Sequence, residues 1–402
     1  MPVATAVKAN LERSSWIRRM FEDGRALKAE FGEENVYDFS LGNPDLEPPK
    51  AFLDALKDAV GSPEQGMHAY MPNAGFPSAR AAMAEKISSE HGVAASAEDV
   101  ILTVGAAGAL NVVLKTVLNP GDEVVVIRPY FAEYGFYISN HGGVMRTVDA
   151  APDFSLDPGA VAAALGPQTA AVIINTPNNP SGRVYDRPSL EKLAAVLSAH
   201  GQACGRAPYL ILDEPYRDIV YDGLVAPPVI DAYPESIVVS SFSKTLSIPG
   251  ERLGYVGVNP AIADKALLMA GLTMANRILG FVNAPALVQR AAAASWKARA
   301  DVARYERRRT MLAGVLRIAQ IEHAKPEGAF YLFCKVPEGG PASAGGRDVA
   351  FAMHLKGFHI LAVPGEGFGY PGWFRLSYCV PERTIEDSAV AWAEAVRNWR
   401  SI

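Results

Sequence analysis

Between about residues 95 and 260 the chain repeats one pattern, and that pattern restricts its fold more than any other feature. A short apolar run rich in β-branched residues ends in small or polar residues, and a segment with helical spacing follows. The strand-like runs lie at 100–104, 123–127, 170–174, 209–212 and 237–239. Helical spacing marks 109–118 and the stretch carrying Leu190, Leu193, Ala194 and Leu197. Strands apolar on both alternating faces are covered on both sides, which predicts an α/β fold with a mostly parallel, mixed sheet flanked by helices. In open sheets of this kind ligands bind beyond the carboxyl ends of the strands. Gly105-Ala106-Ala107-Gly108, Phe131, Asn179, Asp213 and Lys244 all fall at such ends.

One of these ends concentrates reactive and anion-binding groups. In Ser240-Ser241-Phe242-Ser243-Lys244, hydroxyls stand one and three residues before a lysine, and Arg252 follows it by eight. The stretch reads as strand, polar loop, strand. A lysine near a strand end is most often a solvated surface charge, so its neighbours decide. Ser241-Phe242-Ser243-Lys244 also matches the S-x-x-K of penicillin-binding serine enzymes, but the sequence lacks the companion S-D-N and K-T-G motifs. The small residues at 105–108 let backbone N–H groups approach an anion at a helix start, although such residues also begin helices for close packing. Their spacing is not G-x-G-x-x-G, which argues against a dinucleotide. Phe131 is placed either to stack on a planar ring or to join the core.

Composition removes other classes. The 402 residues, 49% of them apolar, suffice for more than one core, and a net charge of -5 without a basic face argues against a nucleic-acid partner. No run approaches the ~18 consecutive apolar residues of a membrane span, and no apolar stretch follows the amino-terminal cations as a secretory signal requires. Cys204, Cys334 and Cys379, odd in number and widely spaced, fit buried thiols in a reducing, cytoplasmic compartment. Neither they nor the seven histidines show metal-ligand spacing, so no metal is expected.

The ends of the chain differ from its middle. Residues 1–35 carry an amphipathic helical pattern, 37–41 a short strand, 285–316 a long helical pattern, and 328–333, 359–363 and 373–378 strand-like runs, before a closing helix at 381–399. Arg375 lies inside the last strand, where an arginine is either solvent-facing or aimed at a carboxylate. These features predict a large domain at 46–285 and a smaller α+β domain built from 1–45 and 286–402.

Ser241-Phe242-Ser243-Lys244 with Arg252, Asn179-Pro180-Ser181-Gly182, Asp213-Glu214-Pro215-Tyr216 and Arg375 resemble, in order and spacing, the fold-type I pyridoxal-phosphate enzymes, specifically the class I/II aminotransferases. The resemblance extends from Gly42 to Arg375. It implies that Lys244 holds pyridoxal 5′-phosphate as a Schiff base and later moves the substrate proton. Asp213 then pairs with the pyridine nitrogen, and Asn179 and Tyr216 bond the ring's 3-oxygen. Ser241, Ser243, Arg252 and the backbone at Gly105, Ala106 and Ala107 take the phosphate, while Phe131 stacks on the ring. Arg375 grips the substrate α-carboxylate, with a backbone contact from Gly42. Tyr70 resembles the tyrosine that reaches the neighbouring subunit's phosphate, which implies a homodimer with shared sites. Ile17 resembles an apolar residue that closes over the substrate.

The implied reaction moves an amino group from an L-amino acid to a 2-oxo acid by a ping-pong route. A β-lyase, a cyclopropane-forming synthase or a decarboxylase would share these residues. A cofactor-sensing regulator would carry an added DNA-binding segment, and only about 35 residues of mixed charge precede Tyr37. The chain departs from the family pattern at Ala106 and Ala107, where relatives often carry a hydroxyl or a lysine, and at Phe131, which stands in place of tryptophan. Arg277 is the candidate cation for a distal substrate carboxylate, the alternative being a surface arginine on a helix.

Overall fold

The computed structural model describes residues 3–12, 16–62, 67–341 and 345–402. At its centre is a seven-stranded sheet in the order Val100–Val104, Leu253–Val258, Ser236–Ser241, Tyr209–Asp213, Thr169–Asn175, Glu123–Arg128, Val144–Asp149. Six strands run parallel, and Leu253–Val258 is antiparallel to both of its neighbours. That reversal puts the amino-terminal end of Leu253–Val258 on the edge where the other six strands finish.

Strand alternation divides the core into two layers. Leu102, Val125, Val172, Leu210 and Val238 pack on one face with residues of helices Pro77–His91, Arg187–Cys204 and Ala286–Ser295. Ile101, Val124, Ile173, Ile211 and Val239 pack on the other with Gly105–Val117 and Lys265–Ile278. Both faces are dry, which is why these strands read as continuous apolar runs.

A second cluster joins Phe39 to Leu312, Leu332, Phe374, Trp392 and Trp399. It lies around a three-stranded antiparallel sheet of Val363–Pro364, Trp373–Ser377 and Tyr331–Lys335, covered by helices Val302–Ile318, Arg347–Lys356 and Glu382–Ser401. Tyr37–Asp38 pairs in parallel with Ile360–Leu361, so an early segment is stitched to the last third of the chain.

Several expectations need correction. The pattern at 285–316 is two helices, Ala286–Ser295 and Val302–Ile318; Asp301 caps the second by accepting from the Arg304 N–H at 3.1 Å. At the amino terminus the described residues are helical at Thr5–Glu12 and Trp16–Phe31. The run at 359–363 serves two sheets, Ile360–Leu361 in one and Val363–Pro364 in the other. Lys244 sits in a single helical turn, Phe242–Thr245, rather than a loop. Val144–Asp149 gave no strand signal because it is a sheet edge whose residues are mostly exposed or half-buried. Cys334 and Cys379 are buried, whereas Cys204 is exposed at the end of its helix. Among the described residues no helix is long and apolar enough to cross a membrane.

Candidate active site

One cavity opens at the edge where the parallel strands end. Ala106, Ala107, Ser241, Ser243 and Arg252 line it, Gly42 and Arg375 also line it, and so do Phe131, Asn179, Asp213, Tyr216 and Lys244. Gly105 lies just behind: its φ of +69° begins the helix Gly105–Val117, and a Cβ there would stand 2.7 Å from the Arg252 guanidinium. A Cβ on Gly254 would meet the backbone of Gly105 at 2.5 Å, so a glycine is needed where the reversed strand passes the helix start. Tyr70 is expected to reach the neighbouring subunit's phosphate rather than this chain's own cavity. Tyr70 is 94% exposed and does not line it, and the side chain of Ile17 lies outside the described residues. Arg277 is exposed and does not line it either.

Lys244 donates from Nζ to the Gly42 carbonyl at 2.7 Å. Burial, aided by the Arg375 and Arg252 charges, lowers its amine to about 8. Asp213, at the end of Tyr209–Asp213, accepts the Tyr134 hydroxyl on Oδ2, while its buried Oδ1 has no partner among the described residues. Burial pushes this carboxyl up to about 7, opposed by Tyr134 and reinforced by the Glu214 charge. Asn175 fixes the same corner: its Nδ2 donates to the Asp213 carbonyl at 2.7 Å, and its Oδ1 accepts the Asn179 N–H at 2.7 Å.

Arg375 is 1% exposed. Its NH1 donates to Asn179 Oδ1 at 3.0 Å and its NH2 to the Ser40 carbonyl at 2.7 Å. The Tyr331 and Phe368 rings lie 4.4 and 4.8 Å from its guanidinium carbon. Burial lowers its pKa, opposed by the neighbouring tyrosines. With Asn179 Oδ1 committed to Arg375, the Asn179 amide nitrogen is left as the donor. The Tyr216 hydroxyl lies 2.8 Å from that of Tyr331, and burial raises both phenols.

Tyr134, Asn175 and Tyr331 were not among the expected site residues. Tyr134 had a local signal, lying three residues after Phe131 and packing edge-on against it at 5.6 Å. Behind Asp213 the fully buried His91 meets Glu214 Oε1 at 2.7 Å, and Arg217 donates to the other carboxylate oxygen at 2.9 Å. Glu90 joins them at ligand-like distances, but it is paired with Lys86, so the group is an ion network rather than a vacant metal site.

The chain's relatives fit this arrangement. A family model described as "Aminotransferase class I and II" matches residues 34–391. The chain is 32% identical to a probable aspartate/prephenate aminotransferase of Thermus aquaticus, over 93% of this chain and 95% of that one. It is 31% identical to the aspartate/prephenate aminotransferase of Thermus thermophilus, over 93% and 94%. A crystal structure of an amino transferase from Eubacterium rectale superposes with a TM-score of 0.93 at 37% identity, covering 99% of both chains. The Thermus thermophilus aspartate aminotransferase with maleate gives 0.84 at 28% identity, covering 98% of this chain and 100% of that one. Members of the matched family generally use pyridoxal 5′-phosphate. A cavity built around a half-buried lysine, an open carboxylate oxygen and a buried arginine thus accompanies similarity over nearly the whole length, and the chain belongs to the class I and II aminotransferases.

Proposed function

We propose that this aminotransferase holds pyridoxal 5′-phosphate at Lys244 and moves an amino group from an L-amino acid to a 2-oxo acid in two successive half-reactions. The observation that carries the reading is the buried Asp213 Oδ1, left without a hydrogen-bond partner among the described residues in the cavity that also receives the Lys244 amine. An orphaned carboxylate oxygen is costly unless a ligand donor meets it, and a pyridine nitrogen bearing a proton is such a donor. When bound, the cofactor supplies the aldehyde that receives the amino group and a ring that spreads the charge developing at the substrate Cα.

The residues divide the remaining work. Ser241, Ser243, Arg252 and the N–H groups opening Gly105–Val117 suit the phosphate. The Asn179 amide and the Tyr216 hydroxyl suit the ring 3-oxygen, and Phe131 covers the ring. Arg375, already aligned by Asn179 and Ser40, takes the α-carboxylate with its planar fork and so orients Cα–H. Lys244, lowered to about 8, carries a useful neutral fraction near pH 7.5 and moves the proton at Cα.

The reading includes a homodimer. Leu267, Met274 and Ile278 are exposed along one stripe of Lys265–Ile278, and Asn276 ties that helix to the Tyr70 loop by donating to the Asn73 carbonyl at 3.0 Å. A second copy on this face would bring the exposed Tyr70 ring toward the partner's phosphate side. Sedimentation showing a monomer at micromolar concentration would remove this part.

The central experiment is borohydride reduction of the cofactor-loaded protein followed by peptide mapping, with single amino acids then added to unreduced protein. Expected are a phosphopyridoxyl mass on Lys244 and an amino-acid-dependent change in the cofactor absorbance. An unmodified Lys244 overturns the reading.

A further inference from the structure

Tyr331 lies where the ring-binding and carboxylate-binding groups meet. It begins the strand Tyr331–Lys335, is 2% exposed and lines the cavity. Its hydroxyl is 2.8 Å from that of Tyr216, and its ring lies 4.4 Å from the Arg375 guanidinium carbon. Gly42, whose carbonyl holds Lys244, packs so closely that a Cβ there would stand 1.9 Å from the Tyr331 hydroxyl oxygen. One side chain therefore touches the neighbours of the lysine, the ring oxygen and the carboxylate.

The proton count fixes the direction of the hydroxyl contact. Each phenol has one proton, and one proton lies between the two oxygens. If Tyr216 gives its proton to the ring 3-oxygen, it can only accept from Tyr331. We propose that Tyr331 is a positioning residue whose hydroxyl donates to Tyr216, strengthening Tyr216 as a donor to the cofactor's 3-oxygen, while its ring holds Arg375 in place. This rests on the placement of Tyr216 given above. Donors in series polarise one another, so the effect passes through Tyr216 without contact between Tyr331 and the cofactor.

The test is a spectrophotometric pH titration of the bound cofactor in holoenzyme without substrate. The 3-oxygen is shared between the Tyr216 hydroxyl and the proton on the nitrogen joining Lys244 to the cofactor, so a weaker hydroxyl raises that nitrogen's pKa. Tyr216→Phe should raise it most. Tyr331→Phe should raise it by roughly half a unit and leave the amino-acid KM within about twofold. Placing 3-fluorotyrosine at 331, a more acidic phenol of nearly the same shape, should lower it, and this variant decides the matter if Tyr331→Phe does not fold. Tyr331→Leu, which also removes the ring, should add roughly a tenfold rise in KM. If Tyr216→Phe shifts the titration and the 331 variants do not, the relay is overturned. If Tyr216→Phe leaves the curve in place, the placement of Tyr216 at the 3-oxygen falls, and the relay with it. An unchanged KM in Tyr331→Leu overturns the hold on Arg375.

Discussion

Arg252 and Arg375 line one cavity, yet they are held there by different means. Arg252 is exposed, sits at a left-handed φ of 54°, and donates to the Pro249 carbonyl three residues back at 2.9 Å. Backbone geometry and that one local bond aim it: the reversed strand starts beside the first turn of Gly105–Val117. Arg375 is buried inside Trp373–Ser377 and is fixed by groups from distant segments, Ser40, Asn179, Tyr331 and Phe368. A solvated guanidinium keeps its water and needs few partners. A buried one must be satisfied by protein, and the partners that satisfy it also fix its direction.

If this contrast is right, the buried arginine governs substrate and the exposed one governs cofactor. Arg375→Leu should lower kcat/KM by about 1000-fold, the loss of two charge-assisted bonds at about 2 kcal/mol each, with the absorbance of the bound cofactor unchanged. A loss below tenfold would break the comparison. Arg252→Leu should weaken cofactor binding roughly 30-fold in equilibrium dialysis and change the amino-acid KM less than about threefold at saturating cofactor. Equal effects on both quantities would merge the two roles.

Gly254→Ala probes the backbone side of the contrast. Its added methyl meets Gly105 at 2.5 Å and the Ala106 nitrogen at 2.8 Å, so urea unfolding should show a loss of about 2 kcal/mol, and cofactor release should quicken. The smallest effect, taken per pH unit, concerns burial itself. Asp213 is raised to about 7 in the folded chain from an ordinary 3.8, so between these values the folded state binds the extra proton. The Asp213 contribution to the stability of cofactor-free protein should therefore shrink as pH rises from about 4 to 7, by roughly 1 kcal/mol per unit, seen as a difference in urea unfolding between wild type and Asp213→Asn that changes across that range.

What could be read from the sequence follows the same division. Strands covered on both faces were visible as apolar runs, whereas Val144–Asp149, wet at the sheet edge, was not. Lys244, Arg252, Asn179 and Asp213 stand in short stretches whose chemistry is local, and the structure gathers them around one cavity. Tyr134 and Tyr331 escaped because their partners lie 79 and 115 positions away, and no local pattern marks a tyrosine as the donor to a remote carboxylate or phenol. The break between Ala286–Ser295 and Val302–Ile318 was hidden because alanine- and arginine-rich sequence favours helix on both sides, and only the Asp301 cap records the restart.

Val100–Val104 occupies an edge of the seven-stranded sheet, and among the described residues its sole strand neighbour there is Leu253–Val258. A ribosome delivers the first strand roughly 150 residues before the second, on the order of ten seconds at ordinary rates of synthesis. Throughout that interval the emerging chain carries an apolar ribbon with nothing to zip against and a glycine turn with nothing to press it into shape. Translation pausing and chaperone capture ought therefore to act most strongly on nascent chains that stop short of residue 258.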